Sequence, residues 1–564
     1  MSKINIILKH ININFKIKNF LYVFFLLIIL QNFYTNAATC SINSCNSKNC
    51  NTSCSNYFDG CQCNTCDAQD SVFSYWGKTF FQPRSQNTNT ARRAVGNHNF
   101  RHRFDEKKNF VGSLTVTPEY NQSFKPYHIA EYFFSSDVLN FTGSMVNGRA
   151  SNNILADYFG LSPEFQGSIA FKPQIKSFIT DFNLMLEFKK GVYFQVYSPL
   201  VNTRWQMQMC NNTNDSGSST PFPAGYMAEG AITAPVNSIS KALEGNVSFG
   251  DVIEGIKYGK FSCCQLKTTK LADITFLLGW IFLNRDSGYV GVNAQLTAPT
   301  GTRPENKYIF EPIAGNGHHW EFGIGFTGEV ELWAKDNDQR INLHFDANFG
   351  NLIHTCQHRS FDFKCNKFLS RYMLLKEFDQ DGNYLQLVPA INVTTLKCNV
   401  KANFQMDLNL MAAYYNKNWE FDFGYNGWLR SHEEITLIDK IPDNTYALKG
   451  IQDVGGLNAN ITQSNATIYG NPFDQQTEVA DTDSPVFLCT SNLDICSAAN
   501  PKVLTHKFYT HLNHKWEKEN RSFSPYLGAG SQIEFESINP RVSYPDKNTL
   551  YQWSLWLKAG LAYN

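Results

Sequence analysis

The stretch His319-Trp-Glu-Phe-Gly-Ile-Gly-Phe-Thr-Gly-Glu-Val-Glu-Leu-Trp-Ala334, resumed after the turn Asp336-Asn337-Asp338 by Ile341-Asn-Leu-His-Phe-Asp-Ala-Asn-Phe349, decides the fold class of this 564-residue chain. Trp320, Phe322, Ile324, Phe326, Val330 and Leu332 fall on one parity. Glu321, Thr327, Glu329 and Glu331 fall on the other. Strict period two places every apolar side chain on one face of a strand. A soluble sandwich has the same period, so length and polarity must decide. The runs match or exceed the roughly 9–11 residues of a tilted transmembrane strand, against about 5–6 for a strand in a globular protein. Their polar faces carry charges, and their apolar faces carry almost none.

The device recurs. Phe404 to Tyr414 alternates with Asn403, Gln405, Asp407 and Asn409; after Asn416-Lys417-Asn418, Trp419, Phe421, Phe423 and Tyr425 alternate with Glu420, Asp422, Gly424 and Asn426. Residues 272–298 and 180–198 do likewise. The last strand sets Tyr551, Trp553, Leu555, Leu557, Ala559, Leu561 and Tyr563 opposite Gln552, Ser554, Trp556 and Lys558. A long aromatic-rich strand at the chain's end resembles the C-terminal assembly signal of bacterial outer-membrane proteins, although Asn564 comes last. It implies outer-membrane lipid and the barrel-assembly machinery as partners.

The expectation is an all-β, transmembrane antiparallel barrel of about 14 strands, within a range of 12 to 16. Strands near 180, 272, 319, 402, 505 and 550 run down, and those near 192, 288, 341, 419 and 523 run up. Weaker strands are expected near 110, 127 and 168. Short turns then fall on the inner side, and the connections 200–271, 299–318, 354–400, 431–504 and 537–549 on the outer side. Residues 135–167 would form a long inner connection.

Composition agrees. Only 17% of residues are charged while 14% are aromatic, and 49 basic residues balance 49 acidic ones. Without a basic surplus there is no electrostatic case for nucleic-acid binding. A mean hydropathy of -0.33 excludes a polytopic helical membrane protein. Residues 1–37 hold Lys3, Lys9, Lys16 and Lys18, no acid, and an apolar core at 20–30 before Thr35-Asn36-Ala37, the pattern of a cleaved export signal. Without those four lysines, 45 basic residues face 49 acidic ones. Residues 38–103 read as a Cys-rich segment, periplasmic or plugging the lumen, and 104–564 as the barrel with long external loops.

Fifteen cysteines are present. Cys40, Cys45, Cys50, Cys54, Cys61, Cys63 and Cys66 lie in the N-terminal segment. Cys210, Cys263, Cys264, Cys356, Cys365, Cys398, Cys489 and Cys496 fall in or beside expected outer loops, none inside a membrane strand. All are disulfide candidates in an exported chain, for instance Cys489 with Cys496. The odd N-terminal set predicts cross-linking to another copy or another envelope protein. Cys61-x-Cys63-x-x-Cys66 lacks paired zinc spacing and a nearby His.

No catalytic motif, cofactor motif or metal set stands out. His318-His319 would point to opposite faces of a strand, and His506, His511 and His514 are spread too widely to chelate. There is no nucleophile elbow, H-E-x-x-H or phosphate loop; the chain reads as a non-enzyme. Lumen-lining candidates are Glu321, Glu329, Glu331, Asp346, Asp407, Glu420, Asp422, Arg430, Glu534 and Lys558, together with Glu536, Lys335 and Lys401. The acidic excess predicts mild cation selectivity.

Three further stretches carry a family resemblance: Phe81-Gln-Pro-Arg-Ser-Gln-Asn-Thr-Asn-Thr-Ala-Arg92, Ile154-Leu-Ala-Asp-Tyr-Phe-Gly-Leu161, and Ala298-Pro-Thr-Gly-Thr-Arg-Pro304 through Gly315-Asn-Gly-His-His-Trp320. The chain resembles large, uncharacterised Cys-rich outer-membrane proteins of endosymbiotic Gram-negative bacteria and is porin-like in type. The resemblance implies a barrel in the outer membrane and no particular activity. The leading expectation is a porin-like channel for passive passage of small hydrophilic solutes, with cross-linking in the envelope. The alternatives are a fatty-acid-type transporter of hydrophobic compounds with an N-terminal plug, and a sealed structural or host-contact barrel.

Overall fold

The computed structural model describes residues 77–96, 110–217, 222, 226–228, 236–335, 338–453, 462–468, 470–473, 485–517, 523–536 and 550–563. The expected export signal at 1–37, Cys40 to Cys66 and the 537–549 connection lie outside these residues. Among the described residues, a short helix, α1 (Thr90–Ala94), precedes the first strand. Twelve long strands then close into a ring: β1 (Phe110–Phe124), β2 (Gln174–Phe188), β3 (Val192–Gln206), β4 (Ile274–Arg285), β5 (Gly288–Ala298), β6 (Glu321–Lys335), β7 (Gln339–Ser360), β8 (Thr395–Asn416), β9 (Trp419–Arg430), β10 (Val503–Lys515), β11 (Phe523–Glu536) and β12 (Tyr551–Tyr563). Each pairs antiparallel with the next, and β12 closes on β1 with Thr115 opposite Gly560 and Gln122 opposite Trp553. The ring leaves no unpaired edge, as a strand structure in lipid requires.

Side-chain exposure is the reverse of a soluble protein's. Leu278, Ile324 and Leu557 point outward and are 58%, 59% and 57% exposed, while the inward Asp422, Asn409 and Ser554 are fully buried. A belt of exposed Phe, Leu, Ile and Trp around a polar interior suits a hydrocarbon solvent outside the ring. Inside, Gly424 faces Tyr509 and Gly560 faces Tyr526 across adjacent strands. A Cβ on either glycine would sit 2.2 Å from the tyrosine ring, so both tyrosines lie flat over their glycines.

The ring has twelve strands, the lower end of the expected range of 12 to 16, because two of the weak expectations belong to other structure. Residues near 127 form α2 (Pro126–Phe134), with Pro126 at its first turn and Ile129, Ala130, Phe133 and Phe134 buried along one side. The strand Gln166–Phe171 belongs to a separate four-stranded sheet. This also corrects the expected inner connection. β1 and β2 are neighbours, so the chain between them leaves the same rim as the other long connections.

Those connections, 125–173, 207–273, 299–320, 361–394 and 431–502, fold together as a cap over that rim. Two small four-stranded sheets form its frame. Phe134, Phe159, Phe171, Tyr372, Leu375, Ile391 and Leu448 share one apolar core within it. β7 and β8 span 22 residues each, about twice what a bilayer needs, and their outer halves continue into the cap. Cys356 and Cys398 therefore lie inside strands and not in loops. Because Cys398 pairs with Gln357 and Cys356 with Asn399, the two cysteines face opposite ways.

Candidate functional site: a strap through the lumen

Residues 77–96 pass through the barrel from the cap rim to the turn rim. At the upper end the Thr79 amide donates to the Ser497 carbonyl at 3.0 Å, and its hydroxyl to the Ser360 carbonyl at 2.6 Å. Phe81 is held in the cap core by Tyr132, Phe133, Trp205 and Phe310, with ring centroids 4.7–6.3 Å apart across this group. At the lower end the Gly96 amide donates to Asp422 at 2.9 Å. Gly96 has φ +61° and lies against the His511 ring, a left-handed conformation that favours glycine.

Between these ends the strap is polar and yet buried. It carries Lys78, Arg84, Arg92 and Arg93 and no acidic residue. Arg84 places one guanidinium nitrogen 3.0 Å from Asp407 on β8 and another 3.1 Å from Glu534 on β11. Arg92 pairs with Glu119 on β1 at 2.6 Å and with Asp181 on β2 at 3.2 Å. Arg93 lies over the Tyr197 ring at 3.8 Å. The two paired arginines thus tie the strap to four strands around the ring. Charges this deeply buried survive only when paired and hydrogen-bonded.

The wall also fits the ends of α1. Asp407 accepts from the Thr90 hydroxyl at 2.6 Å and from the Thr90 amide at 3.3 Å, at the helix start. Lys558 on β12 donates to the carbonyls of Arg92, Arg93 and Val95 at 3.1, 3.0 and 2.5 Å, at the helix end. An acid at the N-terminus and a cation on the terminal carbonyls match the orphan groups a helix leaves there. The small side chains Ala91, Ala94 and Val95 pack on Met411, Ala413, Tyr415, Tyr509 and Trp556.

The lumen-lining candidates take distinct places around this strap. Asp407, Glu534, Lys558 and Asp422 touch it directly. Glu321 accepts from Gln405 at 3.0 Å, and Asp346 lines the space beside Thr90 and Arg93. Glu420 accepts from Asn513 at 3.3 Å next to Asp422. Glu329 approaches His344 at 3.3 Å, while Glu331 is half-exposed near the turn rim. Arg430 stands over Trp428 at the cap end, 5.6 Å from the ring centroid. Of the acidic residues expected to face open water, Asp407 and Glu534 pair with strap Arg84 instead. Cavities between strap and wall measure about 40 and 20 Å³, room for a few waters at most.

Sequence reasoning missed Arg84, Arg92 and Arg93, the Arg92 partners Glu119 and Asp181, and Lys507, which donates to Asn89 of the strap at 3.2 Å. The signal was an acid-free basic run standing beside an acid-rich wall. Cys489 corrects the expected Cys489–Cys496 bridge: it is a free thiol, 2.9 Å from the Ser491 hydroxyl in a short turn. Cys210, Cys263, Cys264, Cys356 and Cys398 are also free thiols.

No family model matches the chain, and no curated protein matches its sequence. Solved structures do resemble it. An outer membrane channel from Pseudomonas putida F1 is 9% identical, covering 81% of this chain and 96% of its own, with a TM-score of 0.32. The transport unit of the autotransporter AIDA-I from Escherichia coli is 8% identical over 86% and 100% of the two chains, TM-score 0.26. A Pseudomonas aeruginosa FadL homologue is 8% identical over 81% and 90%, TM-score 0.25. Likeness at this level carries no functional argument.

Proposed function

We propose that this chain is an outer-membrane channel for small hydrophilic solutes, held shut by its own N-terminal strap, with the turn rim facing inward and the cap outward. The observation that carries the reading is the ionic fit of Arg84 and Arg92 to four wall carboxylates. A merely structural barrel can fill its lumen with apolar side chains. This one keeps a wall of Asn, Gln, Thr, Glu and Lys, suited to water, and occupies it with a separate polar segment. Buried ion pairs add little net stability over apolar packing, which makes them better suited to a removable part than to a permanent core. The polar wall favours hydrophilic solutes over hydrophobic ones.

The test is conductance in planar bilayers. The full chain is expected to be silent or rarely open, and a chain lacking residues 77–96 to show steady open steps. Open conductance of the intact chain removes the strap's role. A folded deletion variant that stays silent points instead to a barrel sealed for structure or surface contact, with the cap as its working face.

A further inference from the structure

We infer that three cations on the outer wall of the barrel, Lys176, Arg204 and Lys267, hold the phosphate group of a membrane lipid at the level where the apolar belt meets the cap.

The strand register brings them together. Lys176 on β2 lies directly opposite Arg204 on β3. Arg204 in turn lies opposite Lys267 on the short strand Leu266–Leu271, which takes over from β4 along the upper part of β3. Neighbouring strands stand about 4.8 Å apart, so the three residues form a row roughly 10 Å wide. Residues directly opposite on adjacent strands share a face. Ser177 and Thr203, next in sequence to Lys176 and Arg204, are buried inside the ring, so by alternation the three cations point away from it. Arg204 and Lys267 are exposed and Lys176 is half-exposed.

The protein supplies no counter-charge to this row. Like charges directly opposite one another repel, and among the described residues no carboxylate pairs with any of the three. Elsewhere in the outer half of the wall a cation is matched across strands: Lys401 on β8 lies opposite Glu434 and pairs with it at 2.8 Å. Arg204 is also oriented in advance. Its Nε donates to Asn202 at 3.3 Å, and Asn202 donates to Thr269 at 2.6 Å, one row below. The two terminal guanidinium nitrogens keep no protein acceptor among the described residues, a fork suited to two phosphate oxygens.

The height of the row selects a lipid as the source of that phosphate. Below Lys176 the outward residues of β2 run from Phe178 to Phe188, and Phe178, Phe182, Leu184 and Phe188 are all exposed. That run of about ten residues, at about 3.3 Å each and tilted about 40°, covers about 25 Å, the height of the apolar band of an outer-membrane barrel. Lys176 stands next above it, where headgroups lie. Tyr120 on β1 marks the same boundary: it lies opposite Phe178, and its hydroxyl donates at 2.8 Å to Gln122, which lies opposite Lys176. An aromatic ring with its polar end toward the headgroups is typical of a membrane interface. A phosphate joined to acyl chains meets the cations and the apolar belt together, whereas a free phosphate meets the cations alone. With the cap outward, as proposed above, the lipid belongs to the outer leaflet.

The test is lipid retention. The full chain is reconstituted in phosphatidylcholine vesicles containing a minor share of phosphatidic acid, extracted in a neutral detergent at low salt, and its bound lipid counted by mass spectrometry. Wild type should keep phosphatidic acid in preference to phosphatidylcholine, and the K176Q/R204Q/K267Q variant should bind it about a hundredfold more weakly. The K241Q/K307Q/K364Q variant, which removes three exposed lysines of the cap, should keep it. Equal retention by all three proteins, or equal loss from both variants, would overturn the inference. Displacement of the lipid by inorganic phosphate at matched concentration would overturn it too, by making the row a site for a free anion. Urea titration of the wild type gives a readout that needs no variant: added phosphatidic acid should raise its stability, and no gain would count against the site. Neither measurement reads conductance, so the lipid site and the channel reading stand or fall separately.

Discussion

Replacing Arg92 with alanine should open the barrel. Arg92 is buried with Glu119 and Asp181, at 2.6 and 3.2 Å, and also donates to the Gln86 carbonyl at 2.9 Å. Removing the cation leaves two carboxylates in the wall without their partner. Breaking a buried pair from one side costs about 3–5 kcal/mol. That penalty falls on the strap-in state alone, because with the strap out the carboxylates meet water. At about 1.4 kcal/mol per factor of ten, the strap-out population rises roughly a hundredfold to several thousandfold. The assay is open probability in planar bilayers, with heat-modifiable gel migration confirming a folded barrel. A compensated variant sharpens it: R92M combined with E119Q and D181N removes all three charges together and should close again. Arg92→Ala and the R84A/R92A double variant both as silent as wild type, in folded protein, would refute the ionic seal.

Other perturbations test separate links. Lys558→Met strips a donor from three carbonyls at the end of α1 and should raise open probability less than Arg92→Ala does, by about 1–3 kcal/mol. Leu557→Arg, at a position 57% exposed in mid-strand, should destabilise the barrel in lipid vesicles by about 2–4 kcal/mol on urea titration. Tyr563→Arg at the rim should cost under about 1 kcal/mol; equal and negligible effects would place the belt in water. In the cap, burial pushes the Asp157 carboxyl up to about 6, with the Ser144 amide and hydroxyl opposing the shift at 2.9 and 2.5 Å. A folded pKa above the unfolded one means its stabilisation is whole below about pH 4 and is lost as pH rises through 6, by up to about 3 kcal/mol. Hydrogen-exchange protection in the cap, corrected for the intrinsic rise of amide exchange with pH, should therefore fall between about pH 4 and 7, and Asp157→Asn should flatten that fall.

The sequence by itself determined the wall. Eleven of the twelve strands follow from period-two runs, from Phe178 and Phe182 in β2 to Leu557 and Leu561 in β12, because a strand between lipid and a polar lumen must alternate. The twelfth, β1, is weaker, with Pro118 and several small polar residues on its path. The same rule misled near Tyr127 and Ile169, since a short apolar run does not distinguish a helix or a cap strand from a membrane strand. The parity of Asp407, Glu420, Asp422 and Glu534 was also legible, and all four face inward.

What faces them was decided only in three dimensions. Residues 77–96 have no periodicity to read, because their conformation is imposed by contacts hundreds of residues away: Arg84 with Asp407 and Glu534, Lys558 with the end of α1. A five-residue helix such as α1 has too few internal hydrogen bonds to hold itself. It forms where the wall supplies a carboxylate at one end and an ammonium at the other. Local sequence could therefore specify a barrel with an acidic interior, but only the closed ring, by bringing those charges around one short basic segment, made that interior full.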